Sequence, residues 1–210
     1  MAHAQAAFGP REDRSKRLPI KRRSPTLPVI PVLDTSLPAS ATTSSPHLHL
    51  ASPADVPYIV DAIVAESRAG HFACDCSQPD VLRGLWHQVQ TIVADGVAPM
   101  PGLRDGAGAR AFVVQVGMAN VGFAILAEHE PGSWHQRLEL FALATHAAWR
   151  GRGVARHLVT SLVRDAGSAV VYARCAPAST AMVSMLRSCG FATVPGGVDG
   201  AVLLEFQRPN

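Results

Sequence analysis

The stretch LELFALATHAAWRGRGVARHLVTSL, residues 138–162, joins an apolar segment typical of a β-strand to a segment with helical periodicity. Between the two segments lies Arg150-Gly151-Arg152-Gly153. Glycine is favoured where the backbone takes a positive φ or approaches a ligand closely, and arginine suits an anionic ligand. Because the turn opens a helix, free N–H groups and the positive end of the helix dipole point at one place. The stretch therefore predicts an anion-binding turn suited to a phosphate.

Two familiar phosphate-binding motifs match this turn poorly. A P-loop requires a lysine followed by Ser or Thr, and no lysine follows Lys21. A dinucleotide-binding turn requires a third glycine where this chain has Arg156, and an acid after the next strand, which here ends in Arg174 and Cys175. Both motifs are therefore weak interpretations of the turn, and the alternatives are a different phosphate-containing ligand or a tight strand-to-helix connection whose arginines face water.

A third motif fits better. The run Arg150-Gly151-Arg152-Gly153-Val154-Ala155 resembles the acyl-CoA motif of the GNAT superfamily of N-acetyltransferases, which reads Arg or Gln, two residues, Gly, one residue, then Gly or Ala. The preceding ALATHAAW (142–149) is similar to that family's fourth strand, and MLRSCGF (185–191) to the end of its last helix. The resemblance spans about residues 48–206 and includes the turn.

The order of elements can be predicted independently of the motif. Hydrophobic periodicity and Gly/Pro punctuation give β, α, α, β, β, β, α, β, α, β, β, with residues 97–109 as a loop. The apolar run 111–127 is interrupted by GMAN (117–120), which indicates a hairpin and not a membrane span. The resemblance implies an α/β (α+β) GNAT fold, in which about four helices flank a mixed, mostly antiparallel sheet of about seven strands with a central βαβ acyl-CoA site.

The resemblance also implies how acetyl-CoA, the expected cosubstrate, is held. Backbone N–H groups of the turn would bind the pyrophosphate, and main-chain groups of the preceding strand would pair with the pantetheine arm as an extra strand. The residues assigned to the cofactor in this way are Leu143, Thr145, Arg150, Gly151, Arg152, Gly153, Val154, Ala155 and Ser179.

Acetyl transfer to an amine requires a neutral amine, so a base is useful. Glu139 occupies the position of the glutamate that serves as base in several family members. Strand alternation predicts that its side chain shares a face with Leu143 and Thr145. The alternative is that Glu139 points outward or pairs with an arginine such as Arg137.

At the position of the family's common general acid, this sequence departs from the family pattern. Leu186 stands where the family commonly has a Tyr, four residues before the Gly-Phe pair, and Ser179 replaces a common Asn. Ser179 or Ser184 assists the leaving thiolate, or the thiolate leaves unaided. His146 is expected to be a surface residue, and Trp149 is expected to pack beside the turn.

No metal site is expected. His71, Cys74 and Cys76 lie close together in HFACDC, but a zinc site needs a second ligand cluster, and none is evident. The chain has four cysteines and no C-x-x-C spacing, which does not indicate an oxidising compartment.

Two regions differ in composition. Residues 1–47 contain seven Lys/Arg against three Asp/Glu and seven prolines, and are expected to form a disordered basic tail. Residues 48–210 contain twelve Arg, no Lys and thirteen acids, and are expected to form the GNAT domain. The tail is solvated flexible charge, a nucleic-acid patch, or the product of a start codon placed too early, since the next methionine is Met100.

These observations favour a cytoplasmic N-acetyltransferase that uses acetyl-CoA to acetylate a primary amine of a small molecule or peptide. The alternatives are a catalytically weak CoA-binding regulatory module and a nucleic-acid-associated protein that uses its basic tail. No membrane partner is expected, nucleic acid is not favoured as a partner, and a homodimer is left open.

Overall fold

The computed structural model describes residues 45–72, 75–98, 107–128, 137–197 and 200–208. It contains four α-helices, in chain order α1 Val56–Arg68, α2 Pro79–Asp95, α3 Val154–Asp165 and α4 Thr180–Ser188. Its strands are β1 His47–Leu50, β2 Val97–Ala98, β3 Ala107–Val116, β4 Ala119–Glu128, β5 Arg137–Thr145, β6 Val170–Cys175, β7 Phe191–Thr193 and β8 Val202–Phe206. The predicted order of elements is confirmed, with β2 as an addition.

Seven strands lie side by side in the order β1-β3-β4-β5-β6-β8-β7. Among the described strands, β5 and β6 are the one parallel pair, and α3 connects them as the predicted βαβ unit. The apolar run 111–127 forms most of the β3–β4 hairpin. Among the described residues, no helix has the length and apolar character needed to cross a membrane.

The prediction of a loop over residues 97–109 is wrong at both ends of that range. Val97 and Ala98 form β2, which pairs with Gly108 and Ala107 at the start of β3. The Gly and Pro content of this stretch is typical of a loop, but the neighbouring strand supplies hydrogen-bond partners that local composition does not reveal.

The sheet separates two apolar layers. Helices α1 and α2 pack on one face, here called the α1/α2 face, against side chains that include Phe123, Ile125 and Ala127. Helices α3 and α4 pack on the other, the α3/α4 face, where Ala124 and Val171 are buried. Apolar residues at helical spacing in each helix face the sheet, as an amphipathic pattern predicts.

Asp55 attaches the start of α1 to the β3–β4 hairpin. Its carboxylate accepts hydrogen bonds from the backbone N–H of Ser52 (2.9 Å), from the Ser52 hydroxyl (2.8 Å) and from the Asn120 amide (3.0 Å). Burial acts to raise the pKa of Asp55, but these hydrogen bonds together outweigh it and hold the pKa below its ordinary value. Ser52 and Asp55 therefore form a capping box, which leads through a 3₁₀ turn, Pro53–Asp55, into α1.

A β-bulge in β5 opens the sheet. The register with β4 passes from Leu126–Leu140 to Ile125–Ala142, so Phe141 has no opposite residue. Pairing between β5 and β6 covers only three residues and ends at Glu139–Tyr172, just before the bulge. Beyond this point the two strands separate.

Candidate functional site

A cleft of about 880 Å³ lies between the separated parts of β5 and β6. Its walls include residues 140–145 of β5, residues 173–176 at the end of β6, and the amino-terminal ends of α3 and α4. Glu66, His71 and Phe72 from the end of α1 and the following connection line the same cleft. Since α1 and α3 pack on opposite faces of the sheet, the cleft joins the two faces.

One wall is the edge of β5 beyond Glu139, which pairs with no other strand among the described residues. The N–H of His146 donates to Val121 of β4, so by alternation the backbone groups of Thr145 and Leu143 point to the other edge, which lines the cleft. An extended ligand can pair with such an edge as an additional strand. Both residues predicted to contact the pantetheine arm therefore lie in the cleft.

The glycine turn forms one end of the cleft. Gly151 and Gly153 have φ values of +74° and +80°, and a Cβ added to either would meet no atom within 4 Å. Among the described residues, no backbone N–H from 151 to 155 donates to a backbone carbonyl. The glycines are therefore not required by packing within the chain. They leave open space in front of unpaired donors at a helix amino terminus, which suits a pyrophosphate.

The arginines of the turn have different positions. Arg150 and Arg156 line the cleft, and Arg156 also donates to the Ser188 hydroxyl at 3.0 Å. Arg152 is not among the lining residues, and its guanidinium lies over the Trp149 ring, 5.0 Å from the centroid. Trp149 lines the cleft beside the turn and packs against the α3/α4 core. The assignment of Arg152 to the cofactor through its backbone N–H stays a prediction, and the guanidinium that borders the cleft after the turn is that of Arg156.

Glu66 connects α1 to the turn. Its carboxylate pairs with the guanidinium of Arg150 through one oxygen and with Nδ1 of His71 through the other, the latter at 2.6 Å. Arg150 in turn donates through Nε to the carbonyl of Thr145 at 3.2 Å. All four residues line the cleft, so a continuous polar network runs along this part of its wall.

The α4 wall has no tyrosine. Leu186, at the position of the family's common Tyr, lines the cleft and is fully buried at 0 % exposure. The chain has two tyrosines, Tyr58 and Tyr172, and neither is a lining residue. Ser179 lines the cleft at the start of α4, whereas Ser184 does not. Burial raises the pKa of the Cys175 thiol, which also lines the cleft, to about 11.

Glu139 lies outside the lining residues, and its buried carboxylate pairs with the partly exposed side chain of Arg174. Its carboxylate accepts hydrogen bonds from Arg174 Nε and Nη2, both at 2.8 Å, and from the Tyr172 hydroxyl at 3.0 Å. Burial, followed by the adjacent Glu139 charge, raises the pKa of Tyr172, and the same carboxylate raises the pKa of Arg174. The alternative that Glu139 pairs with an arginine agrees with the structure, but the partner is Arg174 and not Arg137, which pairs with Glu205.

The predicted orientation of Glu139 is wrong. Glu139 lies opposite Ala127, on the α1/α2 face, whereas Leu143 lies opposite Ala124, on the α3/α4 face. Period-two alternation does not continue across residue 141, because the bulge adds one residue there and reverses the alternation. The role of Glu139 as base stays a prediction, and its geometry requires that Arg174 release the carboxylate first.

Several site residues could not be identified from the sequence. Glu66, His71 and Arg174 reach the cleft through contacts between segments far apart in the chain; Glu66 and Arg150 are 84 positions apart. His146 is exposed and outside the cleft, as expected, and its Nδ1 accepts from the Ala148 N–H. Among the described residues, no group of three His, Cys, Asp or Glu is placed to hold a metal, and Cys74 lies outside those residues.

The family assignment comes from comparisons with known proteins. The family model described as the acetyltransferase (GNAT) family matches residues 84–191, more than half of the chain. No protein of curated function matches the chain in sequence. The fold and cleft are those of an N-acetyltransferase, and the chain belongs to the GNAT acetyltransferase family.

Solved structures share the fold at low sequence identity. A spermidine N-acetyltransferase from Vibrio cholerae, in complex with CoA and spermine, is 17% identical, with a TM-score of 0.55 over 76% of this chain and 92% of that one. The PaiA N-acetyltransferase from Thermoplasma acidophilum, in complex with coenzyme A, is 11% identical, with a TM-score of 0.55 over 78% and 99%. An acetyltransferase from Thermus thermophilus is 17% identical, with a TM-score of 0.58 over 77% and 96%.

Proposed function

We propose that this protein transfers the acetyl group of acetyl-CoA to a primary amine. The observation that carries the proposal is the glycine turn, whose unpaired N–H groups at the amino terminus of α3 open into the cleft beside the free edge of β5. Acetyl-CoA enters from the turn, with its pyrophosphate on residues 151–155 and its pantetheine arm along Leu143 and Thr145. The thioester then lies between β5 and β6.

The acceptor approaches from the α1/α2 face. The α3/α4 face is occupied by the helix whose amino terminus binds the cofactor, whereas His71 and Phe72 border the cleft from the opposite face. An amine arriving from that side meets the thioester carbonyl in the opening between the strands. Holding the two reactants together contributes to the rate by itself, because the reaction between them becomes effectively unimolecular.

The charges of the cleft bear on the class of acceptor. Among the described residues that line it, Arg150, Arg156 and Arg174 carry positive charge and Glu66 carries negative charge. Arg150 pairs with Glu66, Arg174 pairs with Glu139, and Arg156 lies beside the turn, so the proposal includes polyamines, amino acids and peptides as acceptors. The location proposed with this activity is the cytoplasm, and residues 1–47 are proposed to be a tail dispensable for it.

The test is a two-part measurement on the full chain. Calorimetry should detect acetyl-CoA binding, and release of free CoA should be followed with a polyamine, a free amino acid and a lysine-containing peptide as acceptors. Mass spectrometry of the products should find one acetyl group on nitrogen. Absence of acetyl-CoA binding would refute the proposal.

A second candidate function is a CoA-binding module without turnover. Two observations favour it: Leu186 occupies the position of the common Tyr, and the carboxylate of Glu139 is already paired with Arg174. Acetyl-CoA binding without CoA release for any acceptor class would support this candidate over the first.

A further inference from the structure

Two side chains of the cleft, apart from its thiol, carry an atom that can accept a proton. Among the described lining residues, Glu66 is the carboxylate and His71 is the histidine. The thiol of Cys175 stays protonated, because burial raises its pKa to about 11. The other titratable groups along the walls are the guanidinium groups of Arg150, Arg156 and Arg174, which donate hydrogen bonds and do not accept them.

Glu66 is already engaged on both oxygens. Arg150 pairs with one oxygen and His71 Nδ1 with the other. A carboxylate accepts and does not donate, so in the neutral ring Nδ1 carries the proton and Nε2 has the free lone pair. His71 is therefore oriented by Glu66 in the tautomer suited to a base, and its side chain is one-third exposed, at 34%.

We propose that His71, positioned by Glu66, is the base that takes the proton from the acceptor amine; this rests on the proposed acetyl transfer. The amine nitrogen forms a bond to the thioester carbonyl carbon, and the C–S bond breaks with its electron pair on sulfur. The proton lost by nitrogen moves to Nε2 of His71 and then to water, and the CoA thiolate takes a proton from solvent. The products are the N-acetyl amine and CoA.

The position of His71 agrees with this role. Its side chain borders the cleft from the α1/α2 face, the side from which the acceptor arrives, whereas Glu139 is buried, paired with Arg174 and not a lining residue. A base must reach the proton within about 2.6–3.2 Å or through one water molecule. The contact of His71 with Glu66 uses Nδ1, so Nε2 can take a proton without the loss of that contact.

The test uses His71→Asn, since the asparagine amide can donate to Glu66 in place of Nδ1 and has no base in place of Nε2. With acetyl-CoA and the panel amine of highest turnover, kcat should fall on the order of 10²–10⁴-fold, and the affinity for acetyl-CoA should stay unchanged. The acidic limb of the pH–rate profile, which protonation of the base produces, should disappear. His146→Asn is the matched control and should keep the wild-type rate and profile.

Two further measurements separate catalysis from structure. Added imidazole should restore part of the activity of His71→Ala, which a purely structural role does not predict. In the full chain, ¹⁵N NMR of the neutral ring should show the proton on Nδ1, and a proton on Nε2 would overturn the proposal. A wild-type protein that acetylates no amine refutes the proposed function and the base together. If the wild type is active but His71→Asn retains its rate within about threefold, only the assignment of His71 fails.

Discussion

Replacing Gly153 with alanine separates the cost of backbone strain from the loss of cofactor binding. Gly153 has a φ of +80°, and an added Cβ would meet no protein atom within 4 Å. The left-handed conformation costs a non-glycine residue about 1–2 kcal/mol, and restriction of the unfolded chain returns about 0.4–1 kcal/mol. The expected net loss of unfolding free energy is about 1 kcal/mol, or roughly 2–4 °C in melting temperature for a chain of this size.

The loss of cofactor affinity should be larger. The methyl group would occupy the open space in front of the turn's N–H groups, and one hydrogen bond to a charged oxygen is worth about 1.5–3 kcal/mol. Acetyl-CoA affinity measured by calorimetry should therefore fall on the order of 10- to 150-fold.

Gly167→Ala is the matched control. Gly167 follows α3, has a φ of +57°, is surrounded by open space in the same sense and does not line the cleft. It should lose similar stability and keep its acetyl-CoA affinity. Equal affinities of Gly153→Ala and the wild type, or equal losses in the two variants, would refute a phosphate site at this turn.

Three other predictions concern the base, the α1 cap and the tail. Glu139→Gln should lower the free energy of unfolding by about 1–3 kcal/mol, a range that allows for the partial exposure of Arg174. The variant should keep kcat within about tenfold of the wild type, with an unchanged pH–rate profile. A 10²–10⁴-fold loss of kcat that is recovered at high pH would instead identify Glu139 as the base. Asp55→Asn should cost about 0.5–2 kcal/mol at pH 7; because the folded-state pKa of Asp55 is lowered, urea unfolding should show the difference above roughly pH 4 and its loss as the pH falls further. Deletion of residues 1–45 should change neither the melting temperature nor acetyl-CoA affinity, and a large loss of either would show that the tail docks on the domain.

The sequence alone was sufficient to predict features that depend on residues close together in the chain. Gly151 and Gly153 mark positive φ values within a short turn, and the apolar spacing after Val154 marks one face of a helix. The order of helices and strands follows from the same local patterns, which is why it was predicted correctly. The substitution of the common Tyr by Leu186 was also visible at once, because it needs only a position in the motif.

The side of the sheet to which Glu139 points was decided by tertiary structure. The bulge at Phe141 is one extra residue of β5 in its pairing with β4. It depends on how the two strands pair, so the alternation of residues within β5 alone does not predict it. The partner of Glu139 was likewise hidden, since Arg174 reaches it only after β6 has paired in parallel with β5.

The histidine of the cleft depends on the fold in the same way. In the sequence, His71 lies near two cysteines, a combination of residue types that can bind a metal. In the structure it contacts Glu66, which also pairs with Arg150. Such contacts form only when α1 has packed across the sheet and its last turn lies next to the glycine turn. Local patterns specify which elements form, but the pairing of charges between distant segments depends on how those elements pack, and packing is a property of the whole chain.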